Sequence, residues 1–160
     1  MFMRQSVYIE TSIVSYLASK PSRDIIVAAH QQITQNWWDS RKDQFNLFIS
    51  ELVLREAGSG DPEASSQRLS YLEGIPSIIM KEEAYTLAEN LIINGTIPQG
   101  AFADALHIAV STVHGMEFLL TWNCKHIANA EMKGRIEKAC RSHGFEPPIL
   151  CTPEELMGGG

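Results

Sequence analysis

The chain has 160 residues, 44% hydrophobic and 20% charged, with 13 Lys and Arg against 19 Asp and Glu for a net charge of −6. The length suits one domain with a self-sufficient core, and the composition excludes a disordered chain. The acidic balance lacks the basic footprint of an ordinary nucleic-acid binder but allows a cluster of acids, and such a cluster usually needs a cation.

In chain order, Val7-Tyr8-Ile9 predicts a short buried strand that ends on Glu10, with a short helix over 11–18 stopped near Pro21. A longer helix runs from Arg23 to about Ser40, with Ile26, Ala29, Ile33 and Trp37 at helical spacing. Leu47-Phe48-Ile49 is a second apolar strand. Ser50 is placed to cap a helix that reaches Ala57 and breaks at Gly58-Ser59-Gly60. Pro62 starts another helix, ended by Gly74, and Ile78-Ile79-Met80 is a third strand. Helices over 82–94, 101–114 and 130–143 follow, each closed by a glycine. Between the last two lies the strand Phe118–Thr121; Ile149-Leu150 is the final strand, and Thr152-Pro153-Glu154-Glu155 reads as a capped turn. Short apolar strands alternating with helices predict a three-layer α/β/α sandwich with a four- to five-stranded, mainly parallel sheet. The expected organisation is a single domain over residues 1–157, with a flexible glycine tail at 158–160.

No apolar stretch reaches the ~18 residues of a membrane span, and no signal-peptide pattern opens the chain. Cys124, Cys140 and Cys151 form no CxxC pair, so reduced thiols and a cytoplasmic location are expected, with no membrane partner.

In a parallel sheet the site is sought at the carboxyl ends of the strands. Glu10 stands there, although an acid beginning a helix also suits the helix dipole. Of the two acids after the second strand, Glu51 precedes Arg55 by four residues, the favourable order for a surface ion pair. Glu56 instead shares the apolar stripe of Leu52 and Val53, where an unpaired acid is costly. Asp104 interrupts an otherwise small and apolar helix, "GAFADALHIAVS"; it is either a satisfied structural acid or a functional one. His107, one turn on, is a candidate partner for it, although a lone helix histidine is more often core or surface. Asn123, after the fourth strand, can offer a carbonyl to a metal or orient a water; it equally suits a turn. Trp122 could stack on a base, though most tryptophans simply pack.

Glu10, Glu56 and Asp104 converging without a cation would repel one another. Oxygen ligands suit Mg²⁺ or Mn²⁺, and a hard ion in such a pocket can support water attack on a phosphodiester. A phosphatase with an aspartyl nucleophile would want Asp after the first strand, which "ETS" does not supply.

The ordered set "VYIETS", "ISELVLREA", "ADALHIA" and "LLTWN" resembles the PIN-domain family, in particular the VapC-like toxins, from Val7 to the closing "TPEEL". The resemblance implies an endoribonuclease of a toxin–antitoxin pair, using Mg²⁺ or Mn²⁺ on RNA, inhibited by a cognate antitoxin and frequently a homodimer. It puts Glu10, Glu56 and Asp104 at the metal and catalytic acids, and Asn123 at the fourth catalytic place. Ser12 helps at the first acid. Arg55, Lys125 and His126 are candidate phosphate contacts from their nearness to the motifs. Two positions depart from the pattern: Glu10 stands where Asp is usual, and His126 where many members have another Asp. These departures motivate the alternative of a weak or inactive PIN-like module that binds RNA or a protein without cutting.

Overall fold

The computed structural model describes residues 3–158. Residues 159–160, the end of the expected glycine tail, lie outside the described residues. Five parallel strands form one sheet in the order β3-β2-β1-β4-β5: β1 Ser6–Ile9, β2 Asn46–Ser50, β3 Ser77–Ile78, β4 Phe118–Leu120 and β5 Ile149–Cys151. β1 is central because it can afford no solvent: Val7, Tyr8 and Ile9 have no exposed surface. It pairs Tyr8 with Phe48 of β2 and with Leu119 of β4.

α1 (Thr11–Ala18), α2 (Ile25–Ser40), α3 (Glu51–Ala57) and α4 (Pro62–Leu72) pack together, whereas α5 (Glu82–Ile93) packs on α6 (Phe102–Val113) and α7 (Ala130–Ser142). The two helical groups cover opposite faces of the parallel sheet, giving the α/β/α sandwich. The chain leaves β1 toward β2 and leaves β4 toward β5, so the strand order reverses between β1 and β4. A crevice opens at the carboxyl ends of strands where the order reverses in this way.

Three helix starts away from that crevice, those of α2, α4 and α7, follow ordinary capping. Asp24 accepts from the backbone N–H groups of Ile26 and Val27, Asp61 from Ala64 ahead of Pro62, and Asn129 from Glu131. Thr152 and Glu155 bond reciprocally, side chain to backbone, as a capping box closing the last turn. Two expectations are corrected. The third strand is Ser77–Ile78 and not 78–80, because β3 is an edge strand paired only with β2 and the chain turns outward at Ile79, which is 72% exposed. Ser50 occupies the cap position of α3 without capping it, since its hydroxyl is bonded to Tyr8. Among the described residues no helix is long and apolar enough to cross a membrane.

Candidate active site

Glu10 sits directly after β1 in extended backbone, and its N–H donates to the Leu120 carbonyl at 3.1 Å. This last rung of the sheet brings it beside Thr121, which follows β4; the strand ends at Leu120, one residue short of the expected bound. Glu10 is only 7% exposed, so its charge needs partners. One oxygen, Oε1, accepts from the Thr121 hydroxyl at 2.6 Å and from the Ser12 hydroxyl. Ser12 also accepts from the Trp122 N–H at 2.8 Å, tying α1 to the loop after β4. The other oxygen, Oε2, faces His107 Nε2 at 4.0 Å.

Glu56 comes from the last turn of α3. The apolar stripe predicted there is real: Leu52, Val53 and Ala57 are buried, and Glu56 beside them is half-buried. Its Oε1 accepts from Thr11 Oγ1 at 2.6 Å and lies 2.7 Å from His107 Nε2. Burial pushes its carboxyl upward, but the His107 hydrogen bond and charge, the Thr11 bond and the Arg55 charge outweigh it and leave Glu56 below its ordinary value.

His107, at 1% exposure, is the hub. Nε2 meets Glu56, and Nδ1 lies 2.8 Å from the Tyr8 hydroxyl, which is 2.8 Å from Ser50 Oγ. Burial above all, opposed by the Ser50 bond and reinforced by Glu10 and Glu56, holds the Tyr8 phenol far above its ordinary range. Tyr8 therefore keeps its proton and can donate it to Nδ1 while Nε2–H donates to Glu56. A charged ring is accommodated too, with Tyr8 then donating to Ser50. Among the described residues no buried side-chain nitrogen or oxygen is left without a partner.

The ligand atoms of Glu10, Glu56 and His107 lie within 4.8 Å of one another, a group that could hold a metal ion. The donor chemistry fits a hard divalent cation. Oε2 of each glutamate has no hydrogen-bond donor among the described residues, whereas His107 Nε2 is committed to Glu56. Asp104 stands outside this group. It lies three residues before His107 on α6, and its Oδ2 is 2.7 Å from His126 Nδ1. Asn123 Oδ1 accepts from the His126 N–H at 3.0 Å, so its amide shapes the turn that carries His126. Arg55 is exposed and pairs with Glu51 at 3.5 Å; Lys125 is exposed beside the turn.

Of the three acids predicted to share an ion, the structure brings Glu10 and Glu56 together around His107, while Asp104 pairs with His126 instead; His107 partners Glu56 and not Asp104, and Tyr8 and Thr121 were passed over. The signal for His107 was available: Glu56 on an apolar stripe demanded a partner. The partner's identity was not, since it lies 51 residues away.

No protein-family model matches the sequence, and no significant match to a curated protein is found. Solved structures do match. A chain of the VapBC2 structure from Rickettsia felis, bound to a DNA fragment from its promoter, superposes with a TM-score of 0.58 at 18% identity, covering 92% of this chain and 98% of that one. VapC20 of Mycobacterium tuberculosis, described as a Sarcin-Ricin loop cleaving toxin, gives 0.57 at 14% identity, covering 89% and 99%. Over nearly its whole length, the chain therefore has the PIN-like fold seen in VapC proteins.

Proposed function

We propose that this protein is a divalent-metal-dependent endoribonuclease, the cytoplasmic toxin of a toxin–antitoxin pair. The observation that carries the reading is the meeting of Glu10 and Glu56 across buried His107, at the reversal point of a sheet with the VapC fold. Glu10 and Glu56 would hold Mg²⁺ or Mn²⁺ through their Oε2 atoms, with Asp104 completing the acidic wall from one turn away on α6. When bound, such an ion supplies a polarised phosphate oxygen and a more acidic water.

The chain's own residues do the rest. Thr11, Ser12 and Thr121 fix the carboxylates so that they need not reorganise. His107 orients Glu56 and compensates its charge. Asp104 and Asn123 orient His126, whose Nε2 is the candidate contact for a substrate phosphate, with Arg55 and Lys125 as outer cations. RNA is the substrate, a cognate antitoxin the inhibitor, and a homodimer the expected assembly.

A second reading is favoured by one feature: Glu56 already has a partner in His107 at 2.7 Å, so the pocket is satisfied without an ion. A weak or inactive RNA- or protein-binding module would look the same. The test is cleavage of a panel of structured RNAs by the antitoxin-free protein, with Mg²⁺ or Mn²⁺ and then EDTA, alongside Asp104→Asn. Metal-dependent cutting lost in the variant supports the nuclease. Binding without cutting supports the second reading, and metal-independent cutting that survives the substitution overturns the site.

A further inference from the structure

Beside the carboxylates lies a group of three near-parallel rings. His30, from α2, lies over Trp122 with centroids 4.0 Å apart and planes 12° apart. Tyr16, from α1, flanks both, at 6.0 Å and 18° from Trp122 and at 6.3 Å and 20° from His30. Trp122 is itself packed, 8% exposed, and cannot present a free face. Its indole N–H donates to buried Thr34 Oγ1 at 2.6 Å, and its backbone N–H donates to Ser12, so the ring is pinned at both ends. His30 and Tyr16 are only partly buried. Neither ring has a side-chain hydrogen-bond partner among the described residues, although Tyr16 and His30 both sit on rigid helices.

The group is continuous with the active site. Tyr16 is one helical turn from Ser12, and Trp122 is the neighbour of Thr121; both of those hydroxyls bond Glu10. The Tyr16 phenol is pushed up, by burial first and then by Cys124 and Glu10. Tyr16 also lines a cavity of about 320 Å³, together with Pro21, Gln31, Gln32 and Gln35. Gln31 is fully used in holding the turn after α1, through Ser19, Lys20 and Ser22. The amide oxygens of Gln32 and Gln35 accept nothing from the described residues, which leaves acceptors for the edge of a base.

We propose that Tyr16 and His30, backed by Trp122, form a stacking platform for an unpaired base next to the scissile phosphate, so that the substrate is single-stranded or looped RNA. Flat rings held by a pinned support, with polar acceptors at the rim, are what a splayed base needs and what a duplex cannot reach. The inference rests on the ribonuclease reading.

The test compares wild-type protein with Tyr16→Leu, His30→Leu, Tyr16→Phe and His30→Phe, using a looped RNA that the wild type cleaves in Mn²⁺ and a fully paired RNA of the same sequence. Each leucine variant should raise KM about tenfold, with kcat within about twofold, as expected for loss of one stacked base. The phenylalanine variants should restore KM, and the paired RNA should be the poorer substrate for the wild type. Unchanged KM in both leucine variants, phenylalanine variants as weak as the leucine ones, or equal cleavage of looped and paired RNA would overturn the platform while leaving the nuclease standing. A wild type that neither binds nor cuts any RNA overturns both.

Discussion

Glu10 uses one carboxylate oxygen to satisfy Ser12 and Thr121 and turns the other toward His107. An aspartate would be a methylene shorter and could not keep the Thr121 contact while facing His107. Glu10→Asp should therefore lower kcat by at least about tenfold, about 1.4 kcal/mol of transition-state stabilisation. Single-turnover cleavage in saturating Mn²⁺ measures it, and a variant as active as the wild type would mean the pocket is not built around the longer side chain. His107 carries the second argument at this scale. Its removal breaks one hydrogen bond to the buried Tyr8 phenol and one to the half-buried Glu56 carboxylate, leaving Ser50 and Thr11 as their remaining partners, at about 1 kcal/mol for the neutral bond and about 1.5–3 kcal/mol for the one to the carboxylate. His107→Ala should lower the Tm by at least about 5 °C in calorimetry, far more than an alanine at exposed Lys125. The acids were legible in the sequence because they broke a pattern, Glu56 on an apolar stripe and Asp104 in an alanine-rich helix. His107 and Tyr8 broke none. A histidine in a helix and a tyrosine in a strand are ordinary until the fold sets them 2.8 Å apart across 99 residues.

None of the helices that bring Glu10, Glu56 and His107 to the site starts with a side-chain cap. α2, α4 and α7 begin with side-chain caps, whereas α1 and α3 begin on Glu10 and Ser50, whose side chains turn into the pocket. Local rules are set aside where the site needs the side chain. Asp61→Ala should cost about 1 kcal/mol by urea unfolding, as for a lost cap, and leave cleavage unchanged. Ser50→Ala should cost about as much by freeing the Tyr8 hydroxyl, but should also slow cleavage, because Tyr8 positions His107. Equal effects of the two variants on cleavage would remove that distinction. Most elements were legible because most strands carry a short apolar run, Val7–Ile9, Leu47–Ile49, Phe118–Leu120 and Ile149–Leu150, between segments of helical spacing. Ser50 was read as a cap because a serine before a helix ordinarily is one, and only the position of Tyr8 on the adjacent central strand redirects it. β3 was misplaced for a related reason: an edge strand needs one partner and two residues, and the apolar Ile79 that extended the prediction is left in solvent.

For the molecule as a whole, the question is how an acidic chain tolerates an acidic pocket. In the metal-free protein the answer is His107 and three hydroxyls, and it depends on pH. Glu56 lies below its ordinary value of 4.5 when folded, so the unfolded chain takes up its proton first. The stability this contributes is present above about pH 4.5 and is lost as pH falls through the lower folded value. Glu56→Gln should flatten that part of the acid-unfolding profile. Metal offers the second answer. An ion that binds only the folded chain stabilises it by about 2.7 kcal/mol at a concentration 100 times its Kd, which at this size raises the Tm by about 5–10 °C. Mn²⁺ or Mg²⁺ should produce that rise in the wild type and not in Glu10→Gln with Glu56→Gln. If Zn²⁺ raises the Tm and Mg²⁺ does not, the imidazole of His107 is a ligand and not a brace, since imidazole suits zinc whereas carboxylate and water suit magnesium. No rise with any of the three would leave His107 and the hydroxyls as the acids' only partners, and the binding module as the better account of the molecule.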